Sequence, residues 1–251
     1  MVAISIPALE AAAAGGWRPA EEAALGGWLL RAAEGFTGRA NSALAVGDPG
    51  LPLAAATAKV RDWYRARGLP AMIATAFPLG QPRESATDRF LEERGWSVRS
   101  GSATVMTAAP AAIARPAGTV QVDVDDTPDD GWLARYHYRG QRPPPVARLL
   151  LMSAPWQAFA SVRAAGHTLA VGRVAVAGEW AGLTAVEVHP AHRRRGLATA
   201  ITAALASAAA ARGVTGIYLQ VEGDNAPARA LYRQAGFTDH HGYHYRVAPA
   251  A

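Results

Sequence analysis

The sequence predicts a mixed α/β protein of the α+β type, with a central twisted sheet flanked by helices. Two observations lead to this prediction. Segments that alternate between apolar and polar residues, as strands do, are interleaved with segments whose apolar residues recur every three or four positions, as in helices. In the second half of the chain the order is several strands, helix, strand, helix and strand, which indicates a mixed sheet.

The second half has the clearest pattern. TVQVDVD, WQAFASVR, LAVGRVAVAG and AGLTAVEV are predicted strands, and PDDGWLARYHYRG and PPPVARLLLMSAP are predicted short helices. Leu197, Ile201 and Leu205 mark one face of a longer helix that runs to about Ala211 and stops at Gly213. GIYLQVE is a further predicted strand, APARALYRQAG a helix, and FTDHHGYHYRVA a final pair of strands.

A linker is predicted near the middle of the chain. Residues 109–120, APAAIARPAGTV, are rich in alanine, proline and glycine and have no periodicity. We therefore place a linker at 111–117, between a first domain at 1–110 and a second domain at 118–251. The chain has 251 residues, half of them hydrophobic, and this is enough for two cores.

The two predicted domains show a weak internal similarity. KVRDWYRARGLPAMIATAFP has the same helix–glycine–strand layout as ALASAAAARGVTGIYLQVE. RFLEERGWSVRSGSATV aligns without gaps with ALYRQAGFTDHHGYHYR, which pairs Gly95 with Gly236 and Trp96 with Phe237. Few residues are identical, so an internal duplication and two unrelated helix–glycine–strand units both remain open.

Composition and charge argue against several classes of protein. The chain has no cysteine, which excludes disulfides and thiolate metal sites. Its start, MVAISIPALEAAAAGGW, lacks a basic region, and its apolar stretches are too short to span a bilayer, so we expect a cytoplasmic protein without membrane contact. The net charge is +5 and the pI is near 10.0, but the arginines are scattered, which argues against nucleic acid as a partner.

Residues 186–201, VEVHPAHRRRGLATAI, place positive charge where a strand gives way to a helix. The first N–H groups of a helix have no intrahelical partners and the helix dipole adds partial positive charge, so such an end binds phosphates. Gly196 lets the backbone approach a ligand closely, and Ala198 keeps the next turn open. The arginines at 193–195 add charge to an end that is already positive, which indicates an anionic ligand such as a pyrophosphate, but charge alone leaves a solvated arginine run equally open.

The same segment resembles a known family. RRRGLA at 193–198 fits the (Gln/Arg)-x-x-Gly-x-(Gly/Ala) loop of the GNAT superfamily of acyl-CoA-dependent N-acyltransferases. VEVHP resembles the fourth strand of that family, and GIYLQVEGDNAPARALYRQAGF resembles its fifth strand, its Asn-x-x-Ala helix and its Tyr-x-x-x-Gly-Phe ending. The resemblance covers about 118–251 and implies an acetyl-CoA-dependent N-acetyltransferase in which a primary amine attacks the thioester directly.

The resemblance also implies which residues bind the acyl donor. Backbone N–H groups from about 194 to 199 would hold the pyrophosphate, and the strand edge at 186–188 would pair with the pantetheine arm, which the asparagine would also bind. An N–H group near Val188 would polarise the oxyanion. The residues predicted to bind acetyl-CoA are Val186, Val188, Arg193, Arg194, Arg195, Gly196, Leu197, Ala198, Thr199 and Asn225.

Two proton transfers require an acid and a base. Tyr232 stands where the family has its tyrosine and would protonate the departing thiolate, because a phenol with a pKa of about 10 stays protonated at neutral pH. The alternative for Tyr232 is a tyrosine packed in the core. Glu187 is the first choice for the base that takes the proton of the amine, and an exposed or salt-bridged strand residue is its alternative. His189 and Glu222 are weaker candidates.

The first domain departs from the family at the cofactor loop. Alignment of the repeat places that loop on VGDPGLPLAAA, residues 46–56, where Gly50 is kept, the arginines are lost and Pro52 enters the turn. Leu91 stands opposite Tyr232. We therefore predict a degenerate GNAT-like domain that packs against the active one or shapes its substrate cleft. If the first domain is only a support, residues 118–251 should bind acetyl-CoA alone.

Other functions and partners remain open. The chain could be a non-catalytic acyl-CoA-binding regulatory module, or its arginine cluster could contact nucleic-acid phosphates. The acceptor is predicted to be a small-molecule or peptide amine, with small amines, aminoglycosides, peptide N-termini and protein lysines all open, and a homodimer is possible.

Two further clusters of polar residues need an interpretation. DHHGYHY brings together three histidines, of which His240 and His241 are neighbours on a strand and should point to opposite faces, so no metal site is predicted. These histidines and His244 are expected to be solvated or to line the substrate site. We interpret the acidic run from Asp123 to Asp130 as solvated surface, and attraction of a cationic amine is the alternative.

Overall fold

The first half of the chain begins with a helix and a hairpin. The computed structural model describes residues 4–80, 85–113, 120–138 and 140–249, and most of the predicted linker lies outside them, so the domain boundary stays a prediction. The elements of this half are α1 (Ile6–Gly16), β1 (Glu21–Leu25), β2 (Trp28–Ala32), β3 (Ala43–Leu44), α2 (Leu53–Arg65), β4 (Met72–Pro78), α3 (Ala86–Glu93), β5 (Ser97–Val98) and β6 (Ala103–Ala108).

The second half follows the predicted order closely. Its elements are β7 (Asp123–Asp125), α4 (Asp130–Arg135), α5 (Val146–Leu151), β8 (Trp156–Ala164), β9 (His167–Ala177), β10 (Trp180–Val188), α6 (Leu197–Ala210), β11 (Gly216–Glu222), α7 (Ala226–Gln234) and β12 (Thr238–Val247). The predicted mixed α/β class is confirmed. Within the described residues no helix combines the length and hydropathy that a membrane span requires.

One predicted element is wrong. The end of the chain was expected to form a pair of strands, but β12 is a single strand. Gly242 lies in the middle of β12, opposite Phe77 on one side and Thr104 on the other. A Cβ at Gly242 would lie 2.5 Å from the Phe77 ring, so the glycine makes room for an aromatic neighbour.

In the part of the chain that the structure describes, all the strands belong to one 12-stranded sheet that runs through both halves. The order is β1-β2-β3-β4-β12-β6-β11-β10-β9-β8-β7, and β5 pairs with β12. The last strand of the first half, β6, pairs with β11 of the second half. The last strand of the second half, β12, pairs with β4 of the first half. The two halves therefore exchange their final strands.

The repeat predicted from the sequence is visible in the topology. In the first half β3, α2 and β4 form a parallel crossover, and in the second half β10, α6 and β11 form another. Each crossover helix is followed by a glycine with a left-handed backbone, Gly68 at φ 64° and Gly213 at φ 76°. The matched order of elements and the exchanged final strands support an internal duplication.

Helices cover both faces of the second half of the sheet. On one face, α6 buries Ile201 and Leu205 completely, and Gly172 of β9 lets the helix approach, because a Cβ there would lie 2.5 Å from Ile201. On the other face lie α1, α4 and α5. The end of α1 is equally close to the sheet, since a Cβ at Gly16 would lie 3.0 Å from the Tyr218 hydroxyl. This second face therefore combines elements of both halves.

Candidate active site

The two central strands of the second half separate where the site was predicted. β10 and β11 pair in parallel from Trp180, opposite Gly216, to Leu183, opposite Leu219, and no further. Beyond that point β10 stays paired with β9 through a bulge, in which Ala185 adopts a left-handed φ of 56°. We call the space between residues 184–188 and 220–222 the β10–β11 gap.

Backbone N–H groups of β10 face this gap. The N–H of His189 donates to the Leu169 carbonyl of β9, at 2.8 Å. In an antiparallel pair successive residues direct their N–H groups alternately toward and away from the partner strand, so the Val188 N–H points away from β9. The Val188 N–H, which was predicted to polarise the oxyanion, thus points toward the β10–β11 gap.

The predicted anion loop leads from the end of β10 into α6. Arg194 and Gly196 have left-handed φ values of 59° and 76°, which turn the chain so that α6 starts at Leu197. The first intrahelical bond runs from the Ala200 N–H to the Gly196 carbonyl, 3.0 Å, and no side chain caps the helix. Among the described residues, nothing accepts a hydrogen bond from the N–H groups of 194–199. Several unpartnered donors therefore converge at this end.

The side chains of the loop divide between core and solvent. Leu197 is buried in the core under α6, so only its backbone can contact a ligand. The arginines at 193–195 are exposed, and within the described part of the chain none of them forms an ion pair. Gly196 is open, because a Cβ there would meet no atom within 4 Å. The loop thus offers free charge and accessible backbone together.

The predicted acid and the predicted asparagine both lie on α7. Tyr232 packs edge-on against Phe237, with ring centroids 5.8 Å apart, and burial raises the pKa of Tyr232 to about 12. Asn225 caps α7 by accepting a hydrogen bond from the Ala228 N–H, 3.1 Å, through its carbonyl oxygen. Asn225 is exposed, so its amide nitrogen can still donate.

Glu187 is held by residues that the sequence did not single out. One carboxylate oxygen accepts a hydrogen bond from the His137 N–H at 2.6 Å. The other oxygen lies 3.3 Å from Arg135 Nη2 and 3.2 Å from His137 Nδ1. The sequence carried no signal for these partners, because they lie at and just after the end of the short helix α4, about fifty positions earlier in the chain.

A cavity of about 490 Å³ opens beside Glu187. It lies between the loop after α4 and the end of β10, and Arg135 borders a second cavity of about 660 Å³ on its other side. The side chain of Glu187 is 24% exposed, so it can meet a ligand in the first cavity. The lining residues are Arg135, Tyr136, His137, Gly140, Ala185, Val186, Glu187, Pro190 and Arg193.

The two weaker base candidates have other surroundings. The Nδ1 of His189 accepts a hydrogen bond from the Ala191 N–H, 3.2 Å, and so begins the turn that leads to the arginine loop. Glu222 ends β11 and is exposed. In the acidic run, Asp123 and Asp129 bind Arg163 at 3.0 and 2.7 Å, which agrees with a surface role.

The expectation for the three histidines is wrong. His240 and His241 do not point to opposite faces, because β12 has a bulge between Asp239 and His241, and their Nδ1 atoms lie 2.7 Å apart. His241 and His244 are fully buried rather than solvated. They tie the two halves together, since His241 contacts Glu10 of α1 at 2.8 Å and His244 contacts Asp88 of α3 at 2.6 Å.

The matching region of the first half is closed. Its loop leads into α2 directly after Pro52 and contains no arginine, and the β1–β2 turn packs on it. The Gly27 N–H donates to the Asp48 carbonyl at 2.6 Å, and a Cβ at Gly26 would lie 2.3 Å from Pro49. Leu91, opposite Tyr232 in the repeat, is completely buried. These contacts place the β1–β2 turn directly against the loop before α2.

The mixed sheet, the separated central strands and the uncapped helix start define a GNAT-type acyltransferase. The family model described as "Probable histone acetyltransferase Rv0428c C-terminal" matches residues 4–246, and the chain belongs to this family.

Named relatives and a solved structure agree with this assignment. The probable histone acetyltransferase Rv0428c of Mycobacterium tuberculosis (strain ATCC 25618 / H37Rv) is 34% identical over 258 residues, covering 98% of this chain and 74% of the relative. The uncharacterized N-acetyltransferase YobR of Bacillus subtilis (strain 168) is 26% identical over 246 residues, covering 95% and 97%. A GCN5-related N-acetyltransferase from Kribbella flavida has the same fold, with a TM-score of 0.70 at 17% identity over 99% of this chain and 98% of that one.

Proposed function

We propose that the second half of the chain transfers an acetyl group from acetyl-CoA to a primary amine by direct attack. The observation that carries this proposal is the position of the β10–β11 gap next to the start of α6. The gap presents the Val188 N–H, and the loop at 194–199 presents unpartnered N–H groups one short turn further along the chain. An extended thioester with a pyrophosphate at one end matches such a pair of sites.

The residues present fit the acyl donor. The open, left-handed Gly196 and the exposed arginines beside it would hold the pyrophosphate. The edge of β10 at Val186 and Val188 would pair with the pantetheine arm, and Asn225 would donate its amide N–H to the same arm. Bound acetyl-CoA supplies an acetyl thioester, whose carbonyl carbon bonds to the amine while its sulfur leaves as a thiolate. The Val188 N–H would stabilise the negative charge on the carbonyl oxygen.

Glu187 would take the proton from the amine. Arg135 and His137 fix its carboxylate at the wall of the cavity, so its orientation does not depend on the ligand. The base needs to reach the amine directly or through one water molecule. Since β10 carries both Glu187 and the Val188 N–H, attack and deprotonation would occur at neighbouring positions.

Replacing the proposed acid should slow turnover without weakening donor binding. Burial keeps Tyr232 protonated, with a pKa raised to about 12, so it can donate a proton to the thiolate throughout the neutral range. We expect Tyr232→Phe to lower kcat by roughly 100-fold, which is typical of a lost general acid. The affinity for acetyl-CoA, measured by calorimetry, should change little. Unchanged kcat would assign Tyr232 to packing alone.

The donor site is tested by blocking the loop. We expect the full-length protein to bind acetyl-CoA at one site in a calorimetric titration, and Gly196→Trp to abolish binding, because the indole would fill the approach of the pyrophosphate. Gly213→Trp is the matched control. Both glycines have φ 76° and open surroundings, and they lie at opposite ends of α6, so backbone strain is equal in the two variants.

The comparison of the two variants separates strain from obstruction. Loss of binding only in the Gly196 variant would support the donor site at the start of α6. Equal binding by both variants would remove the loop from the proposed mechanism, and no binding by the unmodified protein would overturn acetyl-CoA as the donor.

A further inference from the structure

A loop of the first half packs on the face of the second half that lies away from α6. It joins β2 to β3 across residues 33–42, and Asn41 holds it in shape. The Asn41 side-chain oxygen accepts hydrogen bonds from the N–H groups of Ala33 and Gly35, at 2.8 and 2.9 Å. Its amide nitrogen donates to the carbonyls of Phe36 and Thr37, at 2.8 and 2.9 Å. We call this segment the Asn41 loop.

The Asn41 loop places Arg39 at the closed end of the β10–β11 gap. Arg39 Nη1 donates to the Gln220 side-chain oxygen at 2.9 Å, and the guanidinium lies 5.1 Å from the centre of the Trp17 ring. Gln220 is the first residue of β11 beyond the last pair with β10. Because its neighbours Leu219 and Val221 pack under α6, Gln220 points to the opposite face.

Glu187 lies on the same face as Arg39. Ala185 and Tyr136 belong to the core under α4 and α5, on the face away from α6. Phe36 and Ala40, which lie on either side of Arg39 in the Asn41 loop, belong to the same core cluster. Phe36 of the Asn41 loop also contacts Tyr138 edge-on, with ring centroids 5.3 Å apart. The Asn41 loop thus packs against the segment 136–138, which borders the cavity beside Glu187.

Arg39 carries a charge that the described residues do not neutralise. Across 4–80, 85–113, 120–138 and 140–249, no carboxylate lies within ion-pair distance of it. Glu10 and Arg39 both line a small cavity near Gln220, but the Glu10 carboxylate contacts His241. The neighbouring Arg173 is fully buried and donates to two main-chain carbonyls instead, Leu151 at 2.7 Å and Gly16 at 3.1 Å. A half-buried guanidinium normally has an anionic partner.

We propose that Arg39 binds a carboxylate of the acceptor, so that the acceptor carries a carboxylate together with its primary amine, as amino acids do. A guanidinium binds a planar carboxylate through two parallel hydrogen bonds, and only Nη1 of Arg39 is bonded to Gln220. The basic residues Arg39, Arg135 and Arg193 around the gap disfavour a lysine within a positively charged segment. This inference rests on the proposed acetyl transfer, and it gives the inactive half a role in specificity.

The test compares acceptors that differ only in charge. Acetylation is measured with pairs of an amino acid and its carboxamide, such as β-alanine and β-alaninamide, and with a lysine-rich peptide amidated at its C-terminus. We expect kcat/KM to favour the carboxylate of each pair by about 10- to 100-fold, which corresponds to a hydrogen-bonded charge pair. The amidated peptide should be the poorest acceptor.

Variants of Arg39 separate a specificity role from a structural one. Arg39→Gln should raise KM for the carboxylate about 10- to 100-fold and leave kcat, KM for the carboxamide and acetyl-CoA affinity unchanged. Arg39→Lys should recover part of the loss. Arg65→Gln, on the exposed surface of α2, is the matched control and should behave like the unmodified protein.

Three results would overturn this inference: equal use of acids and amides, preference for the lysine-rich peptide, or a panel in which no carboxylate is acetylated although acetyl-CoA binds. If Arg39→Gln lowered kcat/KM equally for the amino acid and its carboxamide, Arg39 would have only a structural role. Failure of acetyl-CoA to bind would instead overturn the proposed function, so the two failures are distinguishable.

Discussion

Residues 118–251, expressed without the first half, are expected to be insoluble or unfolded and not to bind acetyl-CoA. This fragment loses β6, which pairs with β11 from Ala108, opposite Ile217, to Ala103, opposite Glu222. It also loses β4, the partner of β12. In the fragment, β11 and β12 would therefore present unpaired edges, which promote aggregation. The exchange of final strands thus predicts the opposite of independent binding by this fragment.

The lost contacts extend beyond the sheet. The end of α1 accepts a hydrogen bond from the buried Arg173 through the Gly16 carbonyl, and Trp17 stacks near the same guanidinium, 5.3 Å from the ring centre. Without α1, Arg173 would lose one of its carbonyl partners while remaining in the sheet. We expect this unbalanced charge to weaken the site at the base of the β10–β11 gap.

The control is to supply the first half as a separate chain. Residues 1–117 and 118–251, produced together from two genes, should purify as one complex and bind acetyl-CoA, because β6 and β12 each pair across the two chains. Calorimetry and size-exclusion chromatography provide the measurements. A folded monomer of 118–251 that binds acetyl-CoA with the affinity of the full-length protein would contradict the expectation.

Asp88→Asn should destabilise the protein by about 3 kcal/mol, the usual cost of removing one charge from a buried ionic cluster, and lower the Tm by roughly 10 °C. Asp88 on α3 is 4% exposed and contacts His244 at 2.6 Å and Arg246 at 2.8 and 3.0 Å, both on β12. The cluster therefore joins the two halves. Asp62→Asn is the control, since Asp62 pairs with Arg65 on the surface and should cost at most about 0.5 kcal/mol.

The effect should depend on pH. Burial alone would raise the pKa of Asp88, but hydrogen bonds from His244 and Arg246 and their charges outweigh it and hold the pKa well below its usual range. A lowered folded-state pKa gives stability that is complete above the unfolded value, about 4, and is lost as the pH falls toward the folded value. Urea unfolding from pH 7 to pH 3 should show the difference between Asp88→Asn and the unmodified protein shrinking below about pH 4. An equal difference at all pH values would contradict this assignment.

The elements of the second half could be predicted because they depend on short-range patterns. Alternation at β8 to β11 and the four-residue spacing of Leu197, Ile201 and Leu205 follow from which face each side chain buries. The final strand was mispredicted for a related reason. Nothing in the local pattern shows that Gly242 lies inside a continuous strand, where it accommodates Phe77, a residue far away in the chain.

The candidate site divides in the same way. The loop at 193–199 and Tyr232 lie within continuous motifs, and their positions relative to α6 and α7 follow from the local chain. Arg135 and His137, which hold Glu187, and Arg39, which reaches Gln220, come from distant segments without any periodic pattern. These residues reach the β10–β11 gap only because their segments pack on the sheet face that α1, α4 and α5 cover.

The sequence by itself determined the strand–loop–helix at 186–201 and the mixed α/β class, and it predicts that the first half has lost the cofactor loop. These depend on backbone geometry and on hydrogen bonds between residues a few positions apart. The tertiary structure alone decided that β6 and β12 each pair with a strand of the other half of the chain. It also decided that His241 and His244 of β12 are buried and that Arg39 reaches Gln220 in the other half. Strand edges accept any partner of suitable register, so the choice among partners is made by the whole fold and its buried charges.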